Sequence, residues 1–171
     1  MKKISILFVC LGNICRSPAA EAICIDLIKK KGLNDGFIVD SAGTGSWHIG
    51  KKADARMRIS AERRGLNILS TARQINTKDF ENFNYILAMD NSNFNNINDL
   101  KNRNSSSDFS SIKKIQDFRS VFKDLEVPDP YFGGDEGFDH VLDILEDSVG
   151  GFLESISWIY CDWTSLGTFS L

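Results

Sequence analysis

The sequence predicts an α/β fold, a parallel sheet with helices on both of its faces. Three observations carry this reading. Short apolar runs alternate with stretches of helical periodicity along the chain, the order expected of consecutive βαβ units. The first run, ISILFV at residues 4–9, is apolar almost without interruption, as in a central strand covered on both faces. At 171 residues the chain is also long enough to bury a substantial core within one domain.

The elements follow in order. After the first strand comes a turn, and a helix opens at Ser17-Pro18, where serine suits the N-cap and proline the first helical position. Ala20, Ile23, Cys24, Leu27 and Ile28 then recur at helical spacing, and Gly32 ends the helix. Residues 37–39 read as a second strand, followed by a glycine- and serine-rich loop over 41–50. Residues 53–64 form a polar helix stopped by Gly65. A third strand lies at 85–89, and an asparagine-rich helix over 90–100. Residues 102–111 read as a mobile serine-rich loop and 112–118 as a fourth strand. After a turn at 127–134 (VPDPYFGG), apolar residues from Phe138 to Ile156 trace one long amphipathic helix. Residues 157–171 carry Trp158, Tyr160, Trp163 and Phe169 without periodicity. They are set apart as a C-terminal tail, either a cap on the core or a loose end, which leaves 1–156 as the domain.

Composition narrows the function classes. The formal net charge is −3, with acids and bases mixed along the chain, which argues against nucleic acid or an acidic membrane as partner but leaves room for a local basic pocket. Four cysteines without framework spacing point to a reducing, cytoplasmic setting. Lys2 and Lys3 before the first apolar run, with Ala20-Glu21-Ala22 beyond it, imitate a cleaved leader. Asn13 and Arg16 interrupt that pattern and favour a buried strand. No stretch approaches the ~18 apolar residues of a membrane span. His48 and His140 have no cysteine or carboxylate at ligand spacing, and no nucleotide-binding glycine motif occurs. Neither a metal nor a cofactor is expected.

The chemistry is concentrated in VCLGNICRSPAAEA, residues 9–22. Cys10 stands at the end of the buried strand, and Arg16 follows six residues later at a helix N-terminus. Between them Leu11, Gly12, Asn13, Ile14 and Cys15 form a loop whose amides can all turn inward, an anion-binding nest reinforced by the helix dipole. Gly12 and Asn13 tolerate the left-handed backbone that a tight cradle needs. Arg16 can grip two phosphate oxygens at once. The same surroundings favour a thiolate, the nucleophilic form of cysteine, and Ser17 can donate its hydroxyl hydrogen to that sulfur.

With these residues the chain resembles the low-molecular-weight protein-tyrosine phosphatases. The family signature V-C-x-G-N-x-C-R-S-P is complete over residues 9–18, and a second motif, Asp-Pro-Tyr-aromatic-Gly, stands at Asp129, Pro130, Tyr131, Phe132 and Gly133. Lesser matches are Asp40 to Thr44, Ala72-Arg73-Gln74 and Ala88-Met89-Asp90. The resemblance covers roughly residues 3–156. It implies a four-stranded parallel sheet flanked by helices, with the phosphate loop at the C-terminal end of the first strand. It further implies hydrolysis of phosphotyrosine on protein substrates through a phosphocysteine on Cys10. Arg16 and the loop amides would hold the phosphoryl oxygens, and Asp129 would be the proton donor. Asn13 and Ser41 match positions that keep the loop shaped, and Trp47, Tyr131 and Phe132 would wall the cleft for an aromatic substrate. A monomer or weak dimer is expected. One departure is Ser70, where many relatives carry a histidine that braces the loop.

Rival readings are weaker. Arsenate reductases share the fold and nucleophile loop but need further cysteines for a disulfide relay. Cys24 lies on the apolar face of the first helix and Cys161 is isolated in the tail. A protein-arginine phosphatase branch carries threonine where Ile14 stands, and the bulk of Ile14 favours a planar phenyl group. A phosphotyrosine-binding module without turnover would have little reason to keep Cys10, Arg16 and Asp129 together.

Overall fold

The computed structural model describes residues 3–103, 110–122, 126–131 and 134–165. Four strands, β1 (Ile4–Cys10), β2 (Phe37–Gly43), β3 (Tyr85–Ala88) and β4 (Ser111–Lys114), form one sheet in the order β2-β1-β3-β4. Every pairing is parallel, with Ile4 opposite Phe37, Ile6 opposite Tyr85 and Tyr85 opposite Ser111. Among the described residues five α-helices flank it: α1 (Arg16–Lys30), α2 (Ala55–Arg63), α3 (Asp79–Asn82), α4 (Asn91–Asn102) and α5 (Asp135–Ser165). Short 3₁₀ turns occupy Asn34–Gly36 and Ile115–Phe118.

Side-chain alternation along β1 divides the core into two layers. Ile6, Phe8 and Cys10 join Ile23 and Cys24 of α1, Met57 and Ala61 of α2, and the apolar stripe of α5 from Phe138 to Ile156. Leu7 and Val9 point the other way, onto Phe80 of α3, Ile97 of α4 and Ile86 of β3. Ile6, Leu7, Phe8 and Val9 are all 0% exposed, which explains why that strand reads as continuous rather than alternating. Strand order reverses between β1 and β3, the place where open parallel sheets gather ligands at their C-terminal edge.

Several elements depart from the sequence reading. Strand β2 extends through Ser41, Ala42 and Gly43, which pair with Phe8, Val9 and Cys10. These small residues have weak strand propensity, yet the approaching loop needs them small. A Cβ on Gly43 would lie 2.8 Å from the Leu11 carbonyl oxygen. Strand β4 is shorter than expected, because residues 115–118 curl into a 3₁₀ turn that buries Ile115. Helix α1 begins at Arg16, so Ser17 lies inside its first turn instead of capping it. Asp90 is the N-cap of α4, its Oδ1 accepting from the Asn93 amide at 2.6 Å. The helical backbone of α5 runs on to Ser165, nine residues past Ile156. Phe132, Phe169 and most of the expected serine-rich loop, residues 104–109, lie outside the described residues. Among the described residues no helix is long and apolar enough to cross a membrane.

Candidate active site

Strand β1 delivers Cys10 to the C-terminal edge of the sheet, and α1 starts six residues later, so residues 11–15 must curl tightly between them. Asn13 takes the left-handed turn, φ 55°, and is the one non-glycine among the described residues with positive φ. That twist aims its amide at the Cys10 sulfur, which accepts from it at 3.2 Å. Its side chain is buried and fully used. Nδ2 donates to Ser17 Oγ and Ser41 Oγ, both at 2.9 Å, and Oδ1 accepts from the Arg73 amide at 2.9 Å. Arg73 is itself fixed by Asp40 and Asp79. Asn13 therefore holds a strained turn through three other segments of the chain.

Ser17 Oγ lies 3.0 Å from Cys10 Sγ and 3.2 Å from the Ala42 carbonyl. With Asn13 already donating to it, the hydroxyl has one proton to share between these two acceptors. Behind it, Ser41 Oγ donates to Glu21 Oε2 at 2.6 Å. Burial raises the pKa of Glu21, while hydrogen bonds from the Ser41 and Ser70 hydroxyls work to lower it. Ser70, the departure noted in the sequence, thus faces the loop through a hydroxyl, by way of Glu21 and Ser41.

Arg16 is buried beside the loop. Its Nη1 donates to Asp90 Oδ2 at 2.6 Å and to the Val127 carbonyl at 3.1 Å, and its Nη2 donates to Asp129 Oδ2 at 3.0 Å. Burial alone would lower the arginine pKa, but the surrounding negative charge of Cys10, Asp129 and Asp90 raises it, so the guanidinium is permanently charged. Asp129 sits on the segment after the last strand, its other oxygen accepting from the Tyr131 amide at 3.1 Å. The Val127 amide donates to the Met89 carbonyl, which ties that segment to the end of β3.

A cleft of about 130 Å³ opens above Cys10, floored by Leu11, Gly12 and Arg16 and walled by Ile14, Trp47, His48, Asp129 and Tyr131. That is close to the size of a cavity that holds one benzene ring. Trp47 is 66% exposed and its ring lies directly over Gly45, where any Cβ would be 1.7 Å from Cζ3. Arg56, paired with Asp54, donates to the Tyr131 carbonyl at 3.2 Å and stacks 5.7 Å from the Tyr131 ring centroid. It therefore steadies one wall. Cys15 is buried under the loop, its thiol pushed up by burial and then by the charge of Asp54.

Cys10, Arg16, Asp129, Trp47 and Tyr131, singled out from the sequence, thus converge on one cleft with Leu11, Gly12, Ile14 and Cys15, while Asn13, Ser17 and Ser41 lie buried beneath it as supports. Three contributors escaped that reading. His48 lines the cleft next to Trp47, although nothing in its spacing marks it. Asp90 grips Arg16, and its place at the end of the third apolar run was the available signal. The Asp54–Arg56 pair is visible in the sequence only as ordinary helix-start charges.

Comparison with known proteins agrees with this geometry. The family model described as low molecular weight phosphotyrosine protein phosphatase matches residues 5–158. A low molecular weight phosphotyrosine protein phosphatase of Schizosaccharomyces pombe is 42% identical over 157 residues, covering 91% of this chain and 99% of its own. The crystal structure of a protein tyrosine phosphatase from Entamoeba histolytica superposes with TM-score 0.85 at 45% identity, covering 91% of this chain and 97% of its own. A Drosophila arginine phosphatase superposes with TM-score 0.83 at 36% identity, covering 91% and 97%. With both sequence and architecture matched over nine-tenths of its length, the chain belongs to the low molecular weight phosphotyrosine protein phosphatase family.

Proposed function

We propose that the protein hydrolyses phosphotyrosine on protein substrates through a phosphocysteine intermediate, with Cys10 as nucleophile, Arg16 as phosphate clamp and Asp129 as general acid. The observation that carries this is the Cys10 sulfur at the end of β1, within 3.2 Å of an inward amide and 3.0 Å of a hydroxyl. It lies beside an arginine that already bonds a carboxylate 3.0 Å away. The thiolate attacks phosphorus as the aryl C–O–P bridge breaks at the P–O bond. Asp129 gives its proton to the departing phenolate, then takes one from the water that displaces sulfur. The Ser17 hydroxyl stabilises the sulfur as it leaves. Three of the five Arg16 N–H groups are engaged by Asp90, Val127 and Asp129, so two remain for phosphate oxygens beside the Asp129 carboxyl that serves the leaving oxygen.

Leu11, Ile14, Trp47 and Tyr131 give the cleft flat apolar sides that suit an aryl ester better than a short alkyl one. Phe132, which the motif would add to that wall, lies outside the described residues. Cys24 is completely buried on α1, which counts against a relay of the arsenate reductase kind. The catalytic unit is taken as residues 1–156 with 157–171 as an appended tail, working in the cytoplasm as a monomer or weak dimer. No metal or cofactor has a role in these steps.

Cys10→Ser is expected to abolish hydrolysis of para-nitrophenyl phosphate while vanadate still binds, since the amides and Arg16 remain. Turnover within about tenfold of wild type, ~1.4 kcal/mol of barrier, would overturn the covalent mechanism. Side-by-side assays on phosphotyrosine, phosphoserine and phosphoarginine peptides test the substrate class, with phosphotyrosine expected to lead.

A further inference from the structure

A second groove opens on the far side of Trp47, with a volume of about 320 Å³ against about 130 Å³ for the cleft. The two share Leu11 and Trp47, so the partition between them is one side chain thick. Both of these residues are large, apolar and open to solvent, 40% and 66% exposed. Beyond them the groove is lined by Ile75 and by Leu100 of α4, which packs onto the second core layer, with the uncharged polar side chains of Thr44, Gln74 and Asn96 between them and the rim. Asp99 and Arg103 form its rim. They stand four residues apart, the Arg103 amide donating to the Asp99 carbonyl at 3.2 Å, so their opposite charges offset each other on one helix face.

The cleft has room for one phosphorylated ring, so the rest of a protein substrate must run over the surface at its mouth. On one side that path meets Tyr131, steadied by Arg56. On the other it crosses the Leu11–Trp47 partition and drops into the groove. An extended chain advances ~3.3–3.6 Å per residue, so a position within about three residues of the phosphotyrosine reaches it.

We infer that this groove is a substrate-recognition subsite that receives an apolar side chain, aliphatic or aromatic, flanking the phosphotyrosine of the protein substrate. This rests on reading the cleft as the phosphotyrosine site. The exposed tryptophan is the anchor type that dominates recognition surfaces. Because the rim charges offset each other, selection is by apolar contact and not by the sign of the neighbouring residues.

The test uses phosphotyrosyl peptides in which leucine, glycine or aspartate is placed in turn at each of the three positions on either side of the phosphotyrosine. One flank is expected to show a leucine preference of about tenfold in kcat/KM, equivalent to ~1.4 kcal/mol, expressed in KM. Asn96→Trp, an exposed substitution on α4 that fills the groove, is expected to erase that preference. Hydrolysis of para-nitrophenyl phosphate, which is too small to reach the groove, should change less than twofold. Leu100→Lys gives an independent second variant. Fluorescence-anisotropy titration of the same peptides onto Cys10→Ser reads the subsite without turnover. Equal affinity for leucine, glycine and aspartate peptides, or a preference that survives Asn96→Trp, overturns the subsite while leaving the phosphatase reading intact. Failure of wild type to hydrolyse any aryl phosphate would instead overturn the phosphatase reading.

Discussion

Replacing Asp90 with asparagine separates two jobs that this residue does at once. One oxygen caps α4 by accepting from the Asn93 amide, and the other holds Arg16 Nη1 at 2.6 Å. Asparagine is as good an N-cap as aspartate, so Asp90→Asn keeps the helix start and removes the charge from the clamp. The arginine and aspartate side chains are only 4% and 17% exposed. Two unit charges ~4 Å apart interact by about 4 kcal/mol at an effective dielectric of ~20. Arg16 would still keep Asp129 at 3.0 Å and the Val127 carbonyl at 3.1 Å, so the net loss is smaller, about 2–3 kcal/mol. For a chain of this size that lowers Tm by about 4–12 °C, readable by urea or thermal unfolding. A guanidinium that drifts by ~1 Å costs up to ~10²-fold in rate, so kcat/KM for para-nitrophenyl phosphate should fall by about ten- to a hundredfold. A double-mutant cycle with Arg16→Met isolates the pair. A stability change under about 0.5 kcal/mol with kcat/KM within about twofold would show that Arg16 is held by Asp129 and Val127 alone.

Asp129→Ala should slow phosphotyrosine hydrolysis by ~10²–10⁴-fold and nitrophenyl phosphate less, because only the poorer leaving group needs its proton in the transition state; an equal loss across a series of phenol pKa values would remove Asp129 from that role. Peroxide should silence the enzyme reversibly through a Cys10–Cys15 disulfide, and Cys15→Ser should not recover in dithiothreitol. Full recovery of that variant, with no 10–15 linked peptide by mass spectrometry, would leave Cys15 as packing alone. Asp147 reports acid stability: burial raises its pKa, but the Ser120 hydroxyl and the amides of Val121, Phe122 and Ser120 hold the carboxyl at about 2. A folded value below the unfolded one contributes stability above about pH 4 that is lost as pH falls toward 2. Because the site is largely open to solvent, Asp147→Asn should cost at most about 1 kcal/mol at pH 7, a gap that closes on acidification; a gap independent of pH would count against the hydrogen-bonded carboxylate.

Much of this was legible before any coordinates, for a physical reason. Continuous apolarity marks β1, helical spacing marks α1 and α5, and the nucleophile loop is one contiguous segment whose residue types each answer a local demand. The rest depends on contacts distant in sequence. Ser41, Ala42 and Gly43 read as loop because small residues have weak strand preference, and only the close pass of the phosphate loop explains them. Ser17 reads as an N-cap, but its hydroxyl is drawn to Cys10 and Asn13. His48 carries no local signature and Asp90 shows only as the end of the third apolar run, since each matters fully only after the sheet and its loops bring it to Gly12 or to Arg16.

Gly151 has a meaning beyond the helix that contains it. A Cβ there would lie 1.9 Å from the Phe118 carbonyl oxygen, whereas Gly150 beside it has nothing within 4 Å. Helix α5 and the 3₁₀ turn at Ile115–Phe118 thus meet backbone to backbone at this point, beside the edge-on contact of the Phe118 and Phe152 rings at 5.1 Å. A missing methyl group therefore sets how closely this turn, which buries Ile115, can approach the main packing helix. A redesign that stabilises α5 by replacing its glycines with alanine would gain helix propensity at residue 150. At residue 151 it would force the 3₁₀ turn away from the helix at Phe118.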